Sequence, residues 1–243
     1  MTPLQKKMFT ELQDPSLFQK AEDYGLDYLS KVLGRNVYPT QEALENLAEF
    51  EEELPMGTAK AHAVLDKLNH FGGPATVAQI GGRYFGFVNG SVVPAGLAAK
   101  NLSIFWDQNT AMQVISPISA KLESVVQKWL IELFGLPKST VAGFVSGTSM
   151  ANFCGLASAR YRLLKNQDWD ITEQGMFNAP QIRVVTCTQA HSTILKAISL
   201  IGFGKGNIEW VDVDREGRIL PEQIPELDDR TILILQALSL IHI

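Results

Sequence analysis

Cysteine is scarce: only Cys154 and Cys187 occur, so the chain has no disulfide framework and no paired cysteines at metal-ligand spacing. A reducing, cytoplasmic setting is expected. Histidine is nearly as rare, and none of His62, His70, His191 and His242 stands at the HExxH or a comparable spacing, which disfavours a zinc enzyme and leaves no metal site to expect. No Walker sequence is present. Lys and Arg number 21 against 26 Asp and Glu, for a net charge of -5, and no basic cluster stands out. Nucleic acid and membrane are therefore not expected as partners. Long apolar runs are missing too: the longest, over 232–243, is broken by Gln236, Ser239 and His242, far below the ~20 residues a bilayer span needs. The start, with Gln5, Lys6 and Lys7, holds no signal-peptide core. What remains is a globular composition, 46% hydrophobic and 19% charged over 243 residues, without repeats or low-complexity segments.

Three segments are expected. Residues 1–75 are read as a helical N-terminal segment, with Leu44, Leu47, Phe50 and Leu54 at roughly helical spacing until Pro55 ends the pattern. The acidic residues 51–53 are then a solvated face. Residues 76–237 are read as the first part of a larger α/β domain, entered through a Gly-, Pro- and aromatic-rich loop region over 72–96. Its clearest helix covers 121–134, with Ser116 and Pro117 suited to the start and Gly135 and Pro137 to the stop. Apolar runs of strand length at 141–145, 182–187, 208–213 and 231–235 alternate with helical patterns at 149–164 and 192–201 and a shorter crossover at 221–227. Three of the runs lack alternation, as strands buried on both faces do, and the series predicts an open, mostly parallel sheet. Residues 238–243 (LSLIHI) prolong the apolar run with no turn chemistry, so they are expected to be a non-native tail on a truncated chain, the natural sequence departing after about Ala237.

Two places on this framework bear on chemistry. The stretch VSGTSMAN, from Val145, puts Gly147, Thr148 and Ser149 between a strand end and a helix, where unpaired N–H groups and the helix dipole favour an anion such as a phosphate. Gly147 permits close backbone approach and the two hydroxyls add donors. Hydroxyl residues are equally the ordinary caps of helices, so the turn alone leaves both explanations open. His191 lies between the second strand and the next helix, with Ser192 the expected cap of that helix. Strand C-terminal ends form the crevice of an open α/β sheet, which would set His191 on the same edge as the turn. A surface histidine near a helix start is the plain alternative. The glycine-rhythmic stretch 202–206 follows a helix and precedes a strand, so it is read as a helix stop rather than a dinucleotide fingerprint.

The runs SPISAKLESVVQKWLIELFGLP from Ser116, GFVSGTSMANFCGLASAR from Gly143 and TQAHSTILKA from Thr188 occur in one order that resembles the group II pyridoxal-phosphate-dependent amino-acid decarboxylases, which include the aromatic-amino-acid and glutamate decarboxylases. The resemblance covers most of residues 80–237. It implies a fold-type-I large domain, pyridoxal 5'-phosphate as cofactor, an L-amino-acid substrate that loses its carboxylate as carbon dioxide, and a homodimer with the site at the subunit interface. It further implies that Thr148 and Ser149, beside Gly147, hold the cofactor phosphate, and that His191 stacks on the pyridine ring as a catalytic residue. Residues 81–96 and Asn109 would line the substrate pocket, with Phe87 and Asn89 the nearest candidates, although Phe85, Phe87 and Asn89 are equally explained by loop packing. The family's ring-nitrogen aspartate and its aldehyde-binding lysine have no counterpart here. Lys196 opposes the apolar stripe of its helix and Lys205 belongs to a turn, so this chain alone is expected to be inactive. Another fold-type-I enzyme, a cysteine desulfurase or aminotransferase, and a non-catalytic binding module are the alternatives.

Overall fold

The computed structural model describes residues 1–87 and 89–235, so the tail expected at 238–243 lies outside the described residues. The chain divides into two units, Met1–Asn109 and the remainder from Thr110.

The first unit is helical. Helix α1 (Pro3–Leu12) opens with a reciprocal cap in which Thr2 Oγ1 accepts from the Gln5 N–H at 3.2 Å and Gln5 Oε1 accepts from the Thr2 N–H at 2.8 Å. Helix α2 (Pro15–Lys31) starts at Asp14, and α3 (Gln41–Glu45) starts at Thr40 and tightens into a 3₁₀ turn at Asn46–Phe50. Helix α4 (Ala61–Lys67) runs into a π-helical turn at Leu68–Gly72. Residues 51–53 are exposed, as a solvated face requires. The Arg35 guanidinium donates to the carbonyls of Gly73, Pro74 and Thr76, and so holds the chain leaving that turn. Beyond it the described residues form no regular element up to α5 (Pro94–Trp106), a helix absent from the sequence-based expectation. Pro94 stands at the start of α5 and Asp107 ends it at φ 47°.

The second unit carries the sheet. Helix α6 (Pro117–Leu133) begins after Ser116 and stops at Gly135, φ 60°, where the Gly135 N–H donates to Glu132 O at 3.1 Å and the Leu136 N–H to Ile131 O at 2.9 Å. These paired bonds close a Schellman motif. Helix α7 (Thr148–Lys165) and the short α8 (Ile171–Gln174) precede β1 (Arg183–Cys187), α9 (Ser192–Leu200), β2 (Ile208–Val211) and β3 (Thr231–Ile234). The strands are parallel in the order β2-β1-β3, with Val184 opposite Ile208 on one side and Ile232 on the other. Central β1 buries Val184, Val185, Thr186 and Cys187 in succession, which is why its sequence lacks the alternation of a strand with one solvated face. Ile194, Ala197 and Ile198 of α9 join Ile201, Leu156 and Leu164 in the core on this sheet.

The α/β fold with a parallel sheet is as expected, with three corrections. Residues 141–145 form no strand: Gly143 interrupts the run, Val141 is 82% exposed, and the Ala142 N–H donates to Gln127 Oε1 on α6 instead of a ladder carbonyl. The crossover expected over 221–227 contracts to one 3₁₀ turn, Pro221–Gln223, because Ile224 precedes Pro225 and is held extended at ψ 121°. The residue capping α9 is His191, not Ser192.

Candidate active site

The turn before α7 is an uncapped helix start. Gly147 is the N-cap residue, its carbonyl accepts from Met150 and Ala151, and no side chain caps the helix. Thr148 and Ser149 therefore do not act as caps, and the explanation of their hydroxyls as capping groups falls away. The first N–H groups of any helix lack an intrahelical acceptor. Here they stand with two exposed hydroxyls at the positive end of an 18-residue helix whose first turn carries no acidic side chain. A Cβ built on Gly147 would meet nothing within 4 Å, so the space over the turn is open.

His191 is placed by the end of β1. After Cys187 the chain turns, with the Ala190 N–H donating to Cys187 O at 3.0 Å, and His191 opens α9 with its own carbonyl accepting from Ile194. Its Nδ1 accepts from the Thr193 N–H at 3.2 Å and lies 2.8 Å from Thr193 Oγ1. The same Oγ1 accepts from Asn152 Nδ2 at 3.1 Å. Asn152 is on the second turn of α7, so the phosphate-type turn and His191 are joined through Asn152 and Thr193. Neither of these two was singled out in the sequence. Their role is a contact between helices, for which the residue types alone give no signal.

The remaining expected residues lie elsewhere. Phe87, at φ 54° and 93% exposed, Asn89, whose Nδ2 is 3.5 Å from the Tyr84 hydroxyl, and Asn109 all belong to the first unit. Lys196 and Lys205 are exposed, as expected. Cys187 is buried at the end of β1 as a small core residue, whereas Cys154 is exposed on α7. Among the described residues no group of three or more His, Cys, Asp or Glu could hold a metal ion, and no helix is long and apolar enough to cross a membrane.

At the N-terminal end of β1, Arg183 Nε and Nη2 donate to the two Glu209 carboxylate oxygens, both at 2.7 Å, which raises the Arg183 pKa and holds the Glu209 carboxyl below its usual range. The donor set at the strand C-terminal side fits a phosphate monoester attached to a flat ring: N–H groups and hydroxyls for the anion, open space above a glycine, and a tethered imidazole.

The pyridoxal-dependent decarboxylase conserved domain matches residues 83–236. The chain belongs to that family. Among curated relatives, it is 29% identical over 142 residues to the acidic amino acid decarboxylase GADL1 of Mus musculus, covering 58% of this chain and 25% of that protein. With GADL1 of Homo sapiens the identity is 31% over 110 residues, 45% of this chain and 20% of the relative. The crystal structure of mouse CSAD superposes with a TM-score of 0.77 at 22% identity, over 86% of this chain and 45% of that one. For Oryza sativa TDC with PLP and tryptamine the TM-score is 0.73 at 22% identity, over 86% and 44%. These structures establish the fold as that of the fold-type-I decarboxylases. The family member in hand spans about a quarter of the length of the curated relatives it matches and under half of the solved ones.

Proposed function

We propose that this chain supplies the cofactor-phosphate turn and the ring-stacking histidine of a pyridoxal-phosphate-dependent enzyme that removes the α-carboxylate of an L-amino acid as carbon dioxide. The observation that carries this is the uncapped start of α7, tied through Asn152 and Thr193 to His191 at the end of the central strand. When bound, pyridoxal phosphate supplies the electron sink for the electron pair that loss of the carboxylate leaves. The protein's part is to hold and orient. The backbone N–H groups after Gly147, with the Thr148 and Ser149 hydroxyls, bind the phosphate dianion. The imidazole face of His191 packs on the flat ring, and its Nε2, which carries the proton when Nδ1 accepts, offers a donor toward the substrate carboxylate.

Phe87, Asn89 and Asn109 are proposed to line the substrate pocket. The matched family region spans all three, and Phe87 presents an exposed aromatic face. A homodimer and a cytoplasmic location belong to the same reading, the latter supported by two unpaired thiols.

The test is to load the full-length protein with pyridoxal phosphate, dialyse it, and follow the bound cofactor's absorbance together with carbon dioxide release from L-amino acids. Retained cofactor with release from at least one amino acid is expected. Retained cofactor with transamination or desulfuration alone would move the assignment to another fold-type-I reaction.

A further inference from the structure

Two donors converge on one atom of His191. The Thr193 N–H points at Nδ1, and Thr193 Oγ1 lies 2.8 Å from the same nitrogen. Because the backbone N–H already makes Nδ1 an acceptor, the threonine hydroxyl donates its proton to that nitrogen while its oxygen accepts from Asn152 Nδ2. Nδ1 is thereby an acceptor twice over, and the neutral ring carries its proton on Nε2. Rotation of the imidazole about its last side-chain bond would exchange the two nitrogens' surroundings. Histidine is also not among the residues favoured as helix caps. Capping alone therefore does not account for its presence at the start of α9, whereas a requirement for an oriented ring does. Asn152 and Thr193 are both part-buried, so the bridge between α7 and α9 is sheltered from solvent competition.

We propose that Thr193, oriented by Asn152, is the positioning residue for His191: it fixes the ring's rotation and tautomer and, through Asn152, sets the ring relative to the turn at Gly147. The proposal rests on the pyridoxal-phosphate reading for its purpose, but its geometry is independent of the cofactor and is tested without it. Full-length protein, cofactor-free and labelled with ¹⁵N at histidine, is examined at a pH where the imidazole is neutral, with His191→Gln identifying the resonances. Wild type is expected to show one tautomer, protonated on Nε2. Thr193→Val, close in shape to threonine, and Asn152→Ala should each raise the Nδ1-protonated population at least threefold, while Thr193→Ser should match wild type.

In the loaded enzyme Thr193→Val should lower kcat about tenfold with KM within twofold, and Thr193→Ser should restore kcat. Unchanged ring-nitrogen shifts in Thr193→Val, or wild-type kcat in that variant, would overturn the proposal. If wild type retained no pyridoxal phosphate, the functional reading would fall while the ring shifts still decided the positioning role. Should Asn152→Ala fail to fold, the Val and Ser pair at Thr193 decides alone.

Discussion

Replacing His191 by alanine removes a flat packing surface and a proton-bearing nitrogen at once, and the two losses differ in size. An aromatic stack contributes on the order of 1 kcal/mol, so cofactor retention should weaken only about fivefold. Proton handling and orientation are worth roughly 100-fold or more, so kcat should fall far further. Steady-state kinetics beside equilibrium dialysis of the cofactor separate the two, and a kcat within a few-fold of wild type would refute the role. Ser149→Ala should do the reverse. A lost hydrogen bond to a charged phosphate costs roughly 1.5–3 kcal/mol, which loosens the cofactor about 10- to 100-fold while turnover at saturating cofactor changes little. Both residues were singled out in the sequence by residue type and by position at a helix start. Asn152 and Thr193 were not, since a bridge between residues 41 apart exists only after two helices have packed. The misassigned cap has a similar origin: serine is the statistical choice for a helix start, and the local geometry of His191 overrode it.

Elements whose ends carry their own stop and start chemistry were read correctly, as α6 shows with Pro117 at one end and the Gly135 motif at the other. Helix α5 was missed because its opening Pro94 and Gly96 continue the turn-rich composition of the preceding loop. The run at 141–145 was misread because an apolar run of that length specifies burial without naming a ladder partner. Helix α8 offers a pH test. Asp170 caps it by accepting from the Thr172 hydroxyl at 2.6 Å and the Thr172 N–H at 3.0 Å, and it pairs with Lys165 at 3.2 Å. These contacts favour the charged form and bring the Asp170 pKa down to about 2. A carboxyl depressed on folding stabilises the protein above its unfolded value, near 4, and that contribution is lost as the pH falls toward 2. The difference in urea midpoint between wild type and Asp170→Ala should thus stay constant from pH 7 to 5 and shrink below pH 4. Equal midpoints at pH 7 would show that the cap contributes nothing.

At the scale of the molecule, the parallel α/β architecture was legible from alternating strand and helix patterns, but the extent of its surface cover was not. The stripe on α6 that reads as core-facing leaves Leu122 54%, Trp129 65% and Leu133 75% exposed. In α5, Ile104 and Phe105 are 66% and 60% exposed. The proposed homodimer would cover apolar surface of this kind. The homodimer reading therefore predicts that the full-length protein sediments at twice its chain mass at micromolar concentration, and a monomer under those conditions would remove the shared-site arrangement.

The strand order has a consequence for how the sheet is made. Because β1 is central among the described strands and also the first of the three to leave the ribosome, it exists before either neighbour has been synthesised. Helix α9 and β2 follow directly and close one side, and β3 later adds to the other. Assembly of these three strands can then keep pace with translation, each new strand finding its template already in place, and the bare edge of β1 is shielded on one side before β3 emerges.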